Sequence, residues 1–134
     1  MMSERYRRGV DVVQHLSSGS LERFLKTSRI AEVAPDFARM VVEFAFGDLY
    51  SREALSYRDR EIVAIASLAS LGHASPQLRT HVEAAQKLGL SKSEIVEILM
   101  QIAIYSGLPA SLNALADCHD LLAEGDCVAC TSHS

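Results

Sequence analysis

The residues best suited to chemistry in this chain of 134 are a histidine beside a helix junction, glutamates upstream of it, and a group of arginines. His81 closes the stretch SYRDREIVAIASLASLGHASPQLRTH, just past a break at Gly72–Pro76 where a cleft can open. A histidine can supply a proton or polarise an oxygen at neutral pH; the competing account is a structural histidine, at the surface or held by a hydrogen bond. Glu61 stands at the start of the preceding helix and Glu43 on the helix before that. Either can serve as a buried carboxylate that orients His81 or acts as the acid. The plainer account of Glu61 is a first-turn charge facing the helix dipole. Arg52, Arg58, Arg60 and Arg79 offer forked N–H donors suited to carboxylates. Arg58 and Arg60, however, alternate with Asp59 and Glu61 as a solvated face does. Tyr105 can point a hydroxyl into the same cleft, or sit at an amphipathic core edge. Asn113 reads as an exposed polar position, and His73 as a side chain facing a helix C-terminus. Near the end, Cys127 and Cys130 form a Cys-x-x-Cys with His133 close by. Such a group is a redox pair or half a zinc site, yet only Cys118 or His119 could complete a ligand set. The expectation is that the chain holds no metal there and that these cysteines are incidental.

The elements that must position these residues are helices. No segment alternates with β-branched and aromatic enrichment, as strands do. A first helix is predicted over about Glu4 to Leu16, and Ser20 can cap a short second one through Thr27. Pro35 suits a first helical turn, and Phe37, Met40, Val41, Phe44 and Ala45 recur at helical spacing, so a third helix reaches Phe46. Gly47 to Ala54 reads as a break. Ser56 with Asp59 forms a weakened capping box for a fourth helix that Gly72 ends. Its residues Ile62, Val63, Ala64, Ile65, Ala66, Leu68, Ala69 and Leu71 leave almost no polar face. Such a helix is either central or covered by another subunit. Ser75 as N-cap and Pro76 open a fifth helix through Leu88, and Ser91 with Glu94 is a full capping box for a sixth. Gly107 stops that helix, and Pro109 opens a seventh through Leu122. The expected fold is therefore all-α, a single-domain bundle of about six to seven helices over residues 1–124. Residues 125–134 lack periodicity and read as a mobile tail.

Composition narrows the function classes. With 49% hydrophobic and 22% charged residues the chain is an ordinary globular one. A net charge of −4 argues against nucleic acid as partner, but not against a local cationic pocket for an anionic small molecule. No apolar run is long enough to span a membrane, and the N-terminus MMSERYRRGV has no signal-like core. The three cysteines do not make a disulfide framework, so the expected compartment is the cytoplasm.

Three blocks carry a resemblance to a known family. They are EFAFGDLYSREAL from Glu43, the stretch from Ser56 continued by LASLGHASPQLRTHVEAAQKLGLSKSEI through Ile95, and LMQIAIYSGLPASLNAL from Leu99 to Leu115. In order and spacing they resemble the carboxymuconolactone decarboxylase family, which also contains the alkylhydroperoxidase D-like proteins. The resemblance implies an all-α bundle assembled as a homo-oligomer, a trimer or hexamer, which would cover the apolar fourth helix. It also implies cofactor-free decarboxylation, or related lactone or enol chemistry, on a small carboxylated lactone such as 4-carboxymuconolactone from aromatic catabolism. His81, Glu61 and Glu43 would then be catalytic, and Arg52, Arg58, Arg79 and Tyr105 would bind the substrate.

The chain also departs from the family pattern. Peroxidase members carry a Cys-x-x-Cys, then a histidine four residues later, at the junction that here runs from Gly72 to His81 without a cysteine. A peroxidase needs a thiolate at a helix start and a resolving thiol beside it, and that junction has neither. Glu83 stands where decarboxylases often have an arginine, and Phe46 and Tyr50 replace family tryptophans. Two other readings stay open on these grounds. One is thiol-dependent peroxide reduction through the tail cysteines. The other is an oligomeric small-molecule-binding protein without chemistry.

Overall fold

In the computed structural model, residues 2–16 and 28–124 are described. The expected second helix and the cysteine-bearing tail lie outside them. Every regular element among the described residues is helical. In chain order these are α1 (Glu4–Leu16), α2 (Arg29–Val33), α3 (Pro35–Val41), a π-helical segment (Val42–Leu49), α4 (Tyr57–Leu71), α5 (Ser75–Lys87), α6 (Lys92–Ser106), α7 (Leu108–Asp117) and α8 (His119–Leu122).

Local signals set most boundaries. The Ser56 hydroxyl accepts the Asp59 N–H at 3.1 Å, so α4 starts where its cap predicts. Gly72 ends it at φ 78°, a conformation that costs a side-chain-bearing residue far more than glycine. Both halves of the Ser91/Glu94 capping box are present at the start of α6. The start of α5 differs by a residue: Ala74 is the N-cap without a side-chain bond, and Ser75 is already helical. Pro76 fits the first turn because its missing N–H would have no helical acceptor there. The last predicted helix is divided at Cys118, whose φ of −102° and ψ of 14° interrupt it between α7 and α8.

The third predicted helix departs most. It continues past Phe46 to Leu49, and its last eight residues adopt the wider π geometry. The Tyr50 N–H accordingly bonds back five residues, to the Ala45 carbonyl at 2.9 Å. Its apolar stripe is also split, with Val41 and Ala45 packed against the core and its larger side chains turned outward. Phe37, Met40 and Phe44 are exposed, while Ala38, Val42 and Phe46 are buried. The reason is the approach of α1. A Cβ on Gly9 would lie 2.3 Å from the Val42 carbonyl oxygen, and one on Gly47 would lie 2.2 Å from that of Arg5. The backbones touch, so the small side of the helix must face inward.

Two apolar clusters result. One joins Val12, Val13, Leu16, Phe46 and Ala84 beneath α1. The larger one joins Ile65 and Ala69 of α4, Leu78, Val82 and Ala85 of α5, Ile95, Leu99 and Ile102 of α6, and Ala114, Cys118 and Leu122 beyond. Within one chain α4 is buried along Glu61, Ile65 and Ala69, whereas Val63 and Leu71 are exposed. Among the described residues nothing covers those two side chains, while Ile62, Ala66 and Leu68 pack partly buried against the larger cluster.

Arg79 ties α5 to α8. Its Nη1 and Nη2 donate to the two Asp120 carboxylate oxygens at 2.6 and 2.8 Å. That hydrogen-bonded guanidinium holds the Asp120 carboxyl down at about 2. A carboxyl with a lowered folded-state pKa stabilises the fold above its unfolded value, and the contribution is lost as pH falls through the folded value. The melting-temperature difference between wild type and Asp120→Asn should therefore be present at neutral pH, shrink below about pH 4, and vanish below about pH 2. A difference that stays constant over that range would remove the ion pair as its cause.

Candidate functional site

The bundle brings three polar side chains together between the π segment, α4 and α5. Glu61 is 0% exposed, on the inward stripe of α4. Its Oε2 lies 2.7 Å from Nδ1 of His81 on α5, and its Oε1 accepts the Tyr50 hydroxyl at 3.2 Å. A buried carboxylate is tolerated only when its oxygens are satisfied, and here each oxygen has a partner. The expectation that Glu61 orients His81 thus has a direct contact behind it. The account of Glu61 as a first-turn charge facing the helix dipole is set aside: the first-turn acid of α4 is Asp59, and Glu61 lies beyond it with its side chain buried.

With Nδ1 donating to the carboxylate, Nε2 is the ring nitrogen left to meet a substrate. The His81 side chain is 21% exposed, so the ring sits at the edge of the core rather than inside it. The unit is anchored in the protein through Glu61, and part of the His81 side chain stays open to solvent. That is the arrangement a proton-transfer group requires.

Tyr50 reaches Glu61 because of the π segment. The wide turn sets the phase of the residues at its end, and Tyr50 follows as the C-cap. Its ring lies against Phe46, with centroids 5.3 Å apart, and the Arg60 guanidinium carbon is 5.8 Å from its ring centre. Burial, followed by the neighbouring Glu61 carboxylate, pushes the Tyr50 phenol well above its ordinary range. Tyr50 therefore stays a donor to Glu61 across physiological pH. Sequence reasoning noted Tyr50 only as a replacement for tryptophan. A hydroxyl-bearing aromatic a short distance before Glu61 was the available signal, but the π turn hid its phase.

The other candidates are placed elsewhere. Glu43 is salt-bridged to Arg5 at 3.3 Å and Arg39 at 3.6 Å, and makes no contact with the Glu61 unit. Arg58 pairs with Glu94 across the starts of α4 and α6. Arg79 is occupied by Asp120 and by the Asp117 carbonyl. Arg52 is exposed, and its backbone carbonyl accepts the Arg60 Nη2 at 3.0 Å. Tyr105 is exposed at the end of α6, as are His73 and Asn113 in their own positions. Cys118 is buried in the larger core cluster, and burial pushes its thiol up, so it is a packing residue rather than a reactive thiolate. Among the described residues no three His, Cys, Asp or Glu side chains converge as metal ligands, and no helix is long and apolar enough to cross a membrane.

An all-α chain with a buried glutamate joined to a histidine across a helix hairpin is thus the class of protein that the fold and site define. The family model for the carboxymuconolactone decarboxylase family matches residues 35–116, which contain the π segment, Tyr50, Glu61 and His81. The chain is 33% identical over 113 residues to the 4-carboxymuconolactone decarboxylase of Acinetobacter baylyi, covering 84% of this chain and 82% of that one. It is also 33% identical over 96 residues to an uncharacterized 15.0 kDa protein of Paracoccus denitrificans, covering 71% and 72% of the two chains. The chain belongs to the carboxymuconolactone decarboxylase family.

Proposed function

We propose that the protein is a cofactor-free carboxy-lyase acting on a small carboxylated lactone of the 4-carboxymuconolactone type. The observation that carries this reading is the hydrogen bond from His81 to fully buried Glu61, itself held by Tyr50. The Acinetobacter relative, whose name states that activity, supports the substrate class.

In this reaction the bond between the ring and the departing carboxylate breaks. Its electron pair moves through the ring double bond into the lactone carbonyl, giving an enolate and CO2. One proton then returns to carbon. The protein must stabilise the enolate oxygen and deliver that proton. His81 fills either role through Nε2. Glu61 fixes the ring orientation through Nδ1, and Tyr50 fixes Glu61. Desolvation of the carboxylate makes each of these bonds stronger than it would be in water. The uncovered apolar residues Phe37, Met40, Phe44, Val63 and Leu71 support assembly as a homo-oligomer, a trimer or hexamer.

The test is loss of the lactone's ultraviolet absorbance with purified protein. Wild type should turn the substrate over, and His81→Ala should be slower by about 10²–10⁴-fold. No turnover by wild type would remove the reading. Full turnover by His81→Ala would remove the assignment of His81 alone.

A further inference from the structure

The arginines Arg5, Arg8, Arg39, Arg58 and Arg79 each face a carboxylate of the protein. Arg60 does not. Its Nη2 donates to the Arg52 backbone carbonyl at 3.0 Å, and its Nε is buried without any hydrogen-bond partner. Among the described residues this guanidinium meets a carbonyl and a ring face but no carboxylate, and with one donor buried and unmatched it is poorly satisfied. Sequence alternation with Asp59 suggested a solvated face, but Arg60 is half-buried.

Its position gives that unspent charge a use. Arg60 precedes Glu61 on α4 and lies 5.8 Å from the centre of the Tyr50 ring, whose hydroxyl bonds Glu61. The cation therefore faces the ring whose hydroxyl holds Glu61. The cation–π contact with Tyr50 and the tie to the Arg52 carbonyl restrict the guanidinium, which lowers the entropy lost on binding an anion. Burial around it strengthens attraction to that anion.

We propose that Arg60 is the specificity-determining residue that binds a carboxylate of the substrate beside the Glu61–His81 unit, so that the site selects carboxylated over neutral lactones. This rests on the carboxy-lyase reading above and deepens it. The carboxylate supplies, at the terminal nitrogens of the guanidinium, the negative charge that Arg60 lacks among the described residues. Arg58 and Arg79 are committed to Glu94 and Asp120 and are not required for this role.

The test uses calorimetric binding of the saturated analogue of the carboxylated lactone, which lacks the ring double bond and cannot lose CO2 by the route above. Its methyl ester, neutral at the carboxyl concerned, is the comparison. Wild type should bind the acid more tightly than the ester. Arg60→Met should weaken binding of the acid by roughly 10–100-fold and leave the ester unchanged, which erases the selectivity. Arg60→Lys, which keeps the charge and loses the fork, should fall between. If Arg60→Met loses its helical circular dichroism, Arg60→Gln provides the same charge-removing comparison. Binding by wild type that is equally tight in a folded Arg60→Met variant overturns the assignment of Arg60 and leaves the lyase reading standing. Arg60-dependent selectivity without any turnover of the unsaturated lactone supports the carboxylate site and sinks the lyase reading. No binding of the acid by wild type overturns both.

Discussion

Glu61→Gln should lower turnover of the carboxylated lactone by about 10²-fold or more while the helices stay assembled. The replacement keeps the volume at a position with 0% exposure, and its amide oxygen can still accept the Tyr50 hydroxyl. What it removes is the carboxylate oxygen 2.7 Å from Nδ1 of His81. The amide NH2 placed there is a donor, so the ring must turn or adopt the opposite tautomer, with its proton on Nε2. Either change alters the nitrogen that faces the substrate. Glu61→Ala adds a stability cost. It leaves a cavity and strands the Tyr50 and His81 donors, for an expected loss of about 3 kcal/mol. Single-turnover kinetics and thermal melts of the two variants separate the effects. A Glu61→Gln enzyme with wild-type turnover would reduce Glu61 to a structural role.

The largest expected effect on stability belongs to Gly47→Ala. The new methyl would lie 2.2 Å from the Arg5 carbonyl oxygen, and backbone cannot rotate away as a side chain tip can. Relief requires α1 and the π segment to separate. That would open the cluster of Val12, Val13, Leu16 and Phe46 and disturb the bonds from Arg5 to Asp48. The expected loss is about 3 kcal/mol or more, at the upper end for overpacking. Gly72→Ala provides the contrast. At φ 78° with nothing within 4 Å of its Cβ, it should lose only about 1 kcal/mol, from left-handed strain. Chemical denaturation of both variants checks the ranking. A Gly47→Ala protein as stable as Gly72→Ala would show that the close crossing does not limit the fold. Because the π segment ends at Tyr50, displacing it should also loosen the support of Glu61.

Much of the architecture was legible because it is written in local chemistry. Caps at Ser56 and Ser91, stops at Gly72 and Gly107, and prolines at first turns act within a few residues of where they stand. His81 and Glu61 were legible as a pair of residue types flanking a junction. Their contact was not, since it depends on how α4 and α5 pack. The burial of Glu61 was hidden for the same reason: a glutamate near a helix start has the same sequence signature whether it faces water or the core.

The residues beyond that pair show the limit more clearly. Phe37, Met40 and Phe44 form a good helical stripe, yet they face outward, because glycines on α1 and the π segment bring two backbones into contact on the other side. Tyr50 lies at the end of a turn whose five-residue hydrogen bonding breaks the 3.6-residue phase, so no periodicity places it beside Glu61. Arg60 was indistinguishable in sequence from Arg58, although one faces Glu94 and the other has no carboxylate partner.

By itself, then, the sequence determined an all-α chain, the ends of most of its helices, its family resemblance, and the absence of a cysteine at the junction before His81. These depend on short-range backbone chemistry and on residue identity. Only the tertiary structure decided that Glu61 is buried, that Tyr50 and His81 satisfy its two oxygens, and that Arg60 keeps an unmatched charge beside them. Those outcomes depend on helix crossing distances and relative rotation, which are set by the packing of residues distant in the chain and leave no local trace.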